Sequence, residues 1–238
     1  MPTLPKDTRL TWLGHSTFRI ETPGGRTIFL DPWVRNNPSC PAPLKKVDRA
    51  DLLLITHAHF DHIGDTIEIA KTLRPKIVGI FETISWLDSK GAGNGYPMNK
   101  GGTQTVDGIS ITMVHAIHSC GIVDEGRILY GGEAAGYVVR LENGYSIYHA
   151  GDTALFSDMR LIGELYKPDL CLLPIGDHFT MGPMEAAHAI RFLGARRVVP
   201  MHWGTFPLLT GTPEALRRET SDIEGLEILA MKPGQTLG

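Results

Sequence analysis

Cysteine is scarce in this 238-residue chain: Cys40, Cys120 and Cys171 are an odd number at wide spacing, with no C-x-x-C. That pattern excludes a disulfide framework and suits a reducing compartment. Long apolar runs are missing as well. Nothing approaches the roughly 18 consecutive apolar residues of a membrane span, and the opening MPTLPKDTRL lacks the apolar run of a signal peptide, so the chain reads as cytoplasmic with no membrane span. Neither charge dominates: 23 Lys and Arg stand against 26 Asp and Glu, a formal net charge of -3. Without a basic field there is no general attraction for phosphate backbones, which excludes nucleic acid as the expected partner. With 42% hydrophobic and 21% charged residues the chain can bury a sizeable core, and no linker-like stretch divides it. A single domain over residues 1–238 is the expectation, with a small-molecule substrate as partner and a homo-oligomer left open.

What is present is a series of short β-rich and helical segments punctuated by Gly and Pro. Strands are expected at 8–12, 18–21, 27–30, 52–55 and 76–80, with helices at 65–73 and 82–90. Residues 91–102, with five glycines, read as a mobile loop. The second half repeats the mixture, with strands at 104–106, 110–114, 136–141, 145–149, 170–173, 197–199 and 226–229. Helices are expected at 159–166, 183–193 and 213–220. Thr212-Pro213-Glu214 supplies an N-cap, a first-turn proline and an acidic residue at the positive helix end. Strands followed by β-α alternation in each half point to an α/β fold, sheet against sheet with helices outside.

The segment Thr56-His57-Ala58-His59-Phe60-Asp61-His62 lies between an apolar strand and a helix. In extended backbone, residues two apart face the same side, so His57 and His59 can approach one ion together. Asp61 and His62 fall where the chain must turn. Imidazoles and a carboxylate suit Zn²⁺ and related divalent ions, whereas the alternative, a solvated polar turn, explains the composition poorly. Four further candidates stand just past apolar runs: His118, Asp152, Asp177 and His202. If those runs form facing sheets, their ends converge on one rim.

In order along the chain, His57-x-His59-x-Asp61-His62, His118, Asp152 within His149-Ala150-Gly151-Asp152-Thr153, and His202 resemble the metal signature of the metallo-β-lactamase superfamily. Asp31 in Leu30-Asp31-Pro32 matches its early aspartate. Gly14-His15-Ser16, the segment from Leu173 to Pro183, and Met201-His202-Trp203-Gly204-Thr205-Phe206-Pro207 are similar to a branch of uncharacterised metal-dependent hydrolases. That branch is distantly similar to ascorbate-phosphate lactonases and N-acylphosphatidylethanolamine phospholipases D. The resemblance covers roughly residues 8–205 and implies a four-layer αββα sandwich holding two divalent ions, Zn²⁺ first, with Mn²⁺, Fe²⁺ or Ni²⁺ as alternatives. It also implies that His57, His59 and His118 take one ion, Asp61, His62 and His202 the other, and that Asp152 bridges both. It favours His118 over His115, which an odd spacing would put on the opposite strand face.

Two ions about 3.5–4 Å apart hold and acidify a shared water. The expected activity is therefore a binuclear metal-dependent hydrolase using a metal-bridging hydroxide on a small ester, lactone or phosphate ester. Asp61 is the candidate for orienting that nucleophile or moving its proton. His178 is the other catalytic candidate, weighed with Asp177 against a loop-fixing hydrogen bond. His15 is a candidate neighbour of the metals, and Asp31 one for holding ring tautomers. His149 reads as a buried, hydrogen-bonded histidine, His188 as ordinary helix, Cys120 as inert and Trp203 as packing. Two alternatives stand beside the hydrolase: a metal-binding sensor or interaction protein, and a di-iron redox protein on the same fold. Nothing in the sequence points to antibiotic hydrolysis.

Overall fold

The computed structural model describes residues 4–238, so the first three positions of the expected domain lie outside the described residues. The first half of the chain supplies β1 (Arg9–Trp12), β2 (Phe18–Glu21), β3 (Thr27–Leu30), β4 (Leu52–Leu54), β5 (Lys76–Ile80) and β6 (Gly95–Met98). Helices α1 (Phe60–Ile63), α2 (Thr66–Leu73) and α3 (Phe81–Ser89) lie among them. The second half supplies β7 (Thr103–Val106), β8 (Ile109–His115), β9 (Gly121–Asp124), β10 (Arg127–Tyr130), β11 (Ala135–Arg140) and β12 (Ser146–His149). It continues with α4 (Met159–Tyr166), β13 (Leu170–Pro174), α5 (Pro183–Leu193), β14 (Arg197–Met201), α6 (Pro213–Glu219), β15 (Glu227–Ile228) and β16 (Thr236–Leu237).

Two seven-stranded sheets result, ordered β16-β1-β2-β3-β4-β5-β6 and β15-β14-β13-β12-β11-β8-β7. Each begins with antiparallel pairs and continues with three parallel ones, β3 to β6 in the first sheet and β12 to β15 in the second. The period-2 alternation of strand side chains explains the layering. In β4, Leu52 and Leu54 enter a core between the sheets, while Leu53, and Ile55 just past the strand, face α2 and α3. In β13, Leu170 and Leu172 join that central core, and Cys171 and Leu173 pack under α4 and α5. Three apolar layers, one between the sheets and one under each helical face, make the αββα sandwich. Among the described residues no helix is long and apolar enough to cross a membrane.

Helix boundaries follow the local chemistry. Thr212 Oγ1 accepts from Ala215 N at 3.1 Å to start α6, and Gly182 N–H donates to Glu185 at the start of α5, which Gly194 ends in a left-handed conformation.

Residues 91–102 are not a mobile loop throughout, because Gly95–Met98 form β6, parallel to β5. Composition misleads here since β6 is an edge strand, where proline's missing N–H costs no ladder bond. Gly95 is required by close approach: a Cβ there would stand 2.5 Å from Ile84 Cγ2 on α3. The β9–β10 hairpin was not anticipated, and its Glu125-Gly126 turn has positive φ at both residues, 49° and 76°, as a type I′ turn needs.

All three cysteines are buried and free of disulfides. Burial pushes the Cys40 thiol up to about 11 and raises Cys120 and Cys171 as well, keeping the reactive thiolate scarce. A thiol reagent at pH 8 is expected to label the native protein at none of the three within minutes and the denatured protein at all three. Rapid labelling of a native thiol would contradict the packing around it.

Candidate metal centre

Each residue of the centre stands in a segment that leaves a strand or joins two. His15 lies in the turn from β1 to β2, Asp31 follows β3, and His57, His59, Asp61 and His62 follow β4. His118 follows β8, Asp152 follows β12 and His202 follows β14. The sandwich brings these ends together. Asp152 Oδ2 lies 2.9 Å from His202 Nε2, 3.3 Å from His62 Nε2, 3.8 Å from His118 Nε2 and 3.9 Å from His57 Nε2. Two sets of donors gather around it. His57, His59 and His118 form one, and His15, Asp61, His62 and His202 the other; within each, one donor atom per residue lies within 4.8 Å of the rest.

Hydrogen bonds fix the rings. Asp31, fully buried, accepts from Thr56 N at 2.8 Å, from Thr56 Oγ1 at 2.6 Å and from His62 Nδ1 at 2.8 Å. Since the Thr56 hydroxyl gives its proton to Asp31, it can only accept from His57 Nδ1, 3.0 Å away. One carboxylate therefore aims the Nε2 atoms of both His57 and His62 inward, the orienting role that a neighbour of a metal ligand plays. His15 Nε2 donates to Asp61 Oδ2 at 3.0 Å, and its Nδ1 lies 3.0 Å from Thr205 Oγ1. His149 donates to the Ser16 carbonyl and accepts from Gly151 N–H, at 3.0 and 3.1 Å, which sets the turn before Asp152. Gly151 has φ 63°, and a Cβ there would stand 2.6 Å from the Ala135 carbonyl.

The electrostatics favour a cation. Burial pushes His57 well below its ordinary value and lowers His59 and His118, so these rings are neutral. Burial, reinforced by His202, takes His15 down to about 4. Burial opposes ionisation of Asp152, yet His202 and His62 outweigh it and hold the carboxyl well below the usual range. Asp61 is likewise penalised by burial but is held at about 2 by His62 and His15. For His62, burial is outweighed by Asp152, Asp31 and Asp61, which raise it well above the ordinary value. The neutral His57 and His118 nitrogens, within 3.9 Å of the ionised Asp152 carboxylate, repel it through their lone pairs, and a divalent cation among them would relieve that repulsion. His62 Nε2, though near Asp152, is not aligned for a hydrogen bond and, like His202 Nδ1, is buried without a partner. This donor set fits a divalent metal.

His115 does not join the cluster: it is exposed, with Nδ1 3.2 Å from Lys100 Nζ and its ring against Phe156. Asp177 and His178 are exposed on the loop after β13, and both have positive φ, 66° and 57°. Asp177 Oδ1 accepts from His178 N at 2.7 Å, a loop-fixing bond, while the His178 ring lies against Phe179 and makes no side-chain hydrogen bond among the described residues. Cys120 turns its thiol to the Gly131 carbonyl, Trp203 stacks on Trp12 and His188 is exposed. Sequence reasoning missed Thr205 and Ser119, whose hydroxyls lie 3.0 Å from His15 and 3.2 Å from His59. Their only signal was adjacency, Ser119 next to His118 and Thr205 three residues after His202.

Residues 26–203 match the family described as Beta-lactamase superfamily domain. A UPF0173 metal-dependent hydrolase of Koribacter versatilis is 54% identical over 228 residues, 96% of this chain and 97% of that protein. Another from Rubrobacter xylanophilus is 53% identical over 233 residues, 97% of this chain and 96% of its own length. Among solved structures, Igni18, a metallo hydrolase from the hyperthermophilic archaeon Ignicoccus hospitalis, superposes with a TM-score of 0.86 at 36% identity, covering 97% of each chain.

His62 gives a pH dependence whose sign can be worked out. Its raised value keeps it protonated at neutral pH in the metal-free protein, a stabilising contribution that is full below about 6.5 and lost as pH rises through the folded value. A metal held by this ring would have to displace that proton, so its affinity is then expected to fall about tenfold per unit as pH drops from 7 to 6. Titrations in buffers of different ionisation heat should show about one proton released from this ring. A pH-independent affinity with no proton release would contradict this charge balance.

Proposed function

This chain belongs to the Beta-lactamase superfamily domain family and is a metal-dependent hydrolase, and from that premise we propose that its centre takes two divalent ions, Zn²⁺ first, to hydrolyse a small ester, lactone or phosphate ester. His57, His59 and His118 would hold one ion, Asp61, His62 and His202 the other, and Asp152 both. When bound, such a pair polarises the scissile carbonyl or phosphoryl group and brings the acidity of water toward neutrality.

The chain's own groups supply the rest. Asp31 and Thr56 keep the His57 and His62 rings in the tautomer that turns Nε2 inward. His15, neutral and buried, holds Asp61 by one carboxylate oxygen and leaves the other for the ion it would hold with His62 and His202. Asp61, ionised at neutral pH, would there orient the attacking water. His178 has no part in these steps, because its exposed ring has no bond to the cluster. The observation that carries this reading is the convergence of four imidazole nitrogens, within 3.9 Å, on one buried carboxylate oxygen.

The test is a panel of lactones, thioesters and phosphodiesters with the purified protein, its turnover lost on chelation and restored by Zn²⁺ or Mn²⁺. Asp152→Ala is expected to cut kcat/KM by more than about 100-fold, beyond the 10–100-fold usual for outer-shell changes, and to lower metal content to one ion or none. His118→Ala should lose metal while His115→Ala keeps it. An Asp152→Ala protein with two ions and full activity would overturn the shared-ligand assignment.

A further inference from the structure

The segments that carry the centre are short of one kind of residue. Residues 13–17, 31–34, 56–65, 115–121, 150–158, 175–183 and 201–212 contain no Lys or Arg, although the chain has 23. Of the cations near these segments, Arg35 is paired with Glu68 and Lys100 with Glu133, and Arg160, two residues past Asp158, lies over the Phe192 ring. The one unburied charge on the loop after β13, Asp177, is negative.

Those same segments expose large apolar side chains that a soluble rim would not need. Phe60, between His59 and Asp61, is 66% exposed, and Ile117, next to His118, is 46% exposed. Phe179, on the loop after β13, and Leu208, on the loop after β14, are 52% and 54% exposed. These loops are tied to the centre. Ile117 N donates to Thr153 Oγ1 at 3.0 Å and Met181 N donates to the Thr153 carbonyl at 3.1 Å, both beside Asp152. Gly211 N donates to the Gly176 carbonyl at 3.2 Å, joining the last two loops. A chain of ring contacts runs from the surface to His15: Phe60 to Trp33 at 5.8 Å, Trp33 to Phe206 at 6.1 Å, and Phe206 to His15 at 5.7 Å.

We propose that the substrate is an uncharged ester or lactone whose apolar group lies against Phe60, Ile117, Phe179, Phe206 and Leu208, and that phosphate esters are not substrates. This rests on the hydrolase reading and narrows it. Water adds to the acyl carbon, the acyl–oxygen bond breaks, and the alcohol leaves with a proton from that water. A phosphate monoester carries charge beyond what reacts, and sites built for it supply Arg or Lys to hold the remaining oxygens. The rim offers none, whereas an acyl chain gains by leaving water for the collar.

Binding can be read without turnover, using hydroxamates as metal-chelating probes on the zinc-loaded full chain. By calorimetry, octanohydroxamate should bind at least about 30-fold more tightly than acetohydroxamate, from roughly twofold per added methylene. A hydroxamate of the same length ending in a carboxylate should lose most of that gain. Phe179→Lys and Leu208→Lys, at exposed positions that tolerate the change, should favour the carboxylate-ended probe instead. Equal affinity for the short and long probes, or preference of the wild-type protein for the anionic one, overturns the proposal. In parallel, the p-nitrophenyl ester of octanoate should be turned over and p-nitrophenyl phosphate should not, and faster phosphate hydrolysis also overturns it. If no ester is hydrolysed while the hydroxamate ranking holds, the collar stands and the hydrolase reading fails.

Discussion

A carboxylate in an apolar interior is unstable as an anion unless positive charge or hydrogen-bond donors surround it. Asp152 is that group in this protein, fully enclosed yet ionised, with imidazoles from three separate segments turned toward it. The arrangement suits a divalent cation, and much of the neighbouring structure serves to hold it. Asp31 sets two rings at once, and His149 sets the turn that delivers Asp152. The backbone bears some strain for this: His15, Asp31 and His202 have φ of 55°, 47° and 54°, a region costing non-glycine residues of order 1–3 kcal/mol each. The backbone bond from His202 N to the His15 carbonyl, at 3.1 Å, locks two of these strained residues together.

The two halves of the chain solve the same problem. In each, antiparallel strands lead into three parallel pairs, and the loops that leave the strands carry the polar residues. The buried apolar side chains form three layers, one between the sheets and one under each helical face, and the centre lies at the strand ends.

Much of this was legible in the sequence, for physical reasons. Strands such as β3, β5 and α-helices such as α4 and α5 kept the expected bounds because their apolar periodicity and terminating Gly or Pro agree. The histidines and aspartates were conspicuous because their types and spacing suit few uses besides metal binding, and the structure brings His57, His59, Asp61, His62, His118, Asp152 and His202 together. What stayed hidden was set by tertiary contact. Gly95–Met98 forms a strand only because β5 offers an edge, and the β9–β10 hairpin pairs only with itself, so Val123, Ile128 and Tyr130 stay exposed instead of joining either large sheet. The bond from His15 to Asp61 spans 46 residues and leaves no local trace, as does the Thr205 hydroxyl behind it. Asp177 and His178, weighed between substrate contact and a loop-fixing bond, lie exposed on the loop after β13, where Asp177 Oδ1 accepts from His178 N.

Sharing of Asp152 by two cations, proposed above, is tested by crystals grown with zinc and measured on both sides of the zinc absorption edge. Two anomalous peaks are expected to flank the Asp152 carboxylate, one among His57, His59 and His118 and the other among Asp61, His62 and His202. A single peak remote from Asp152, or none at full zinc occupancy in solution, would contradict it.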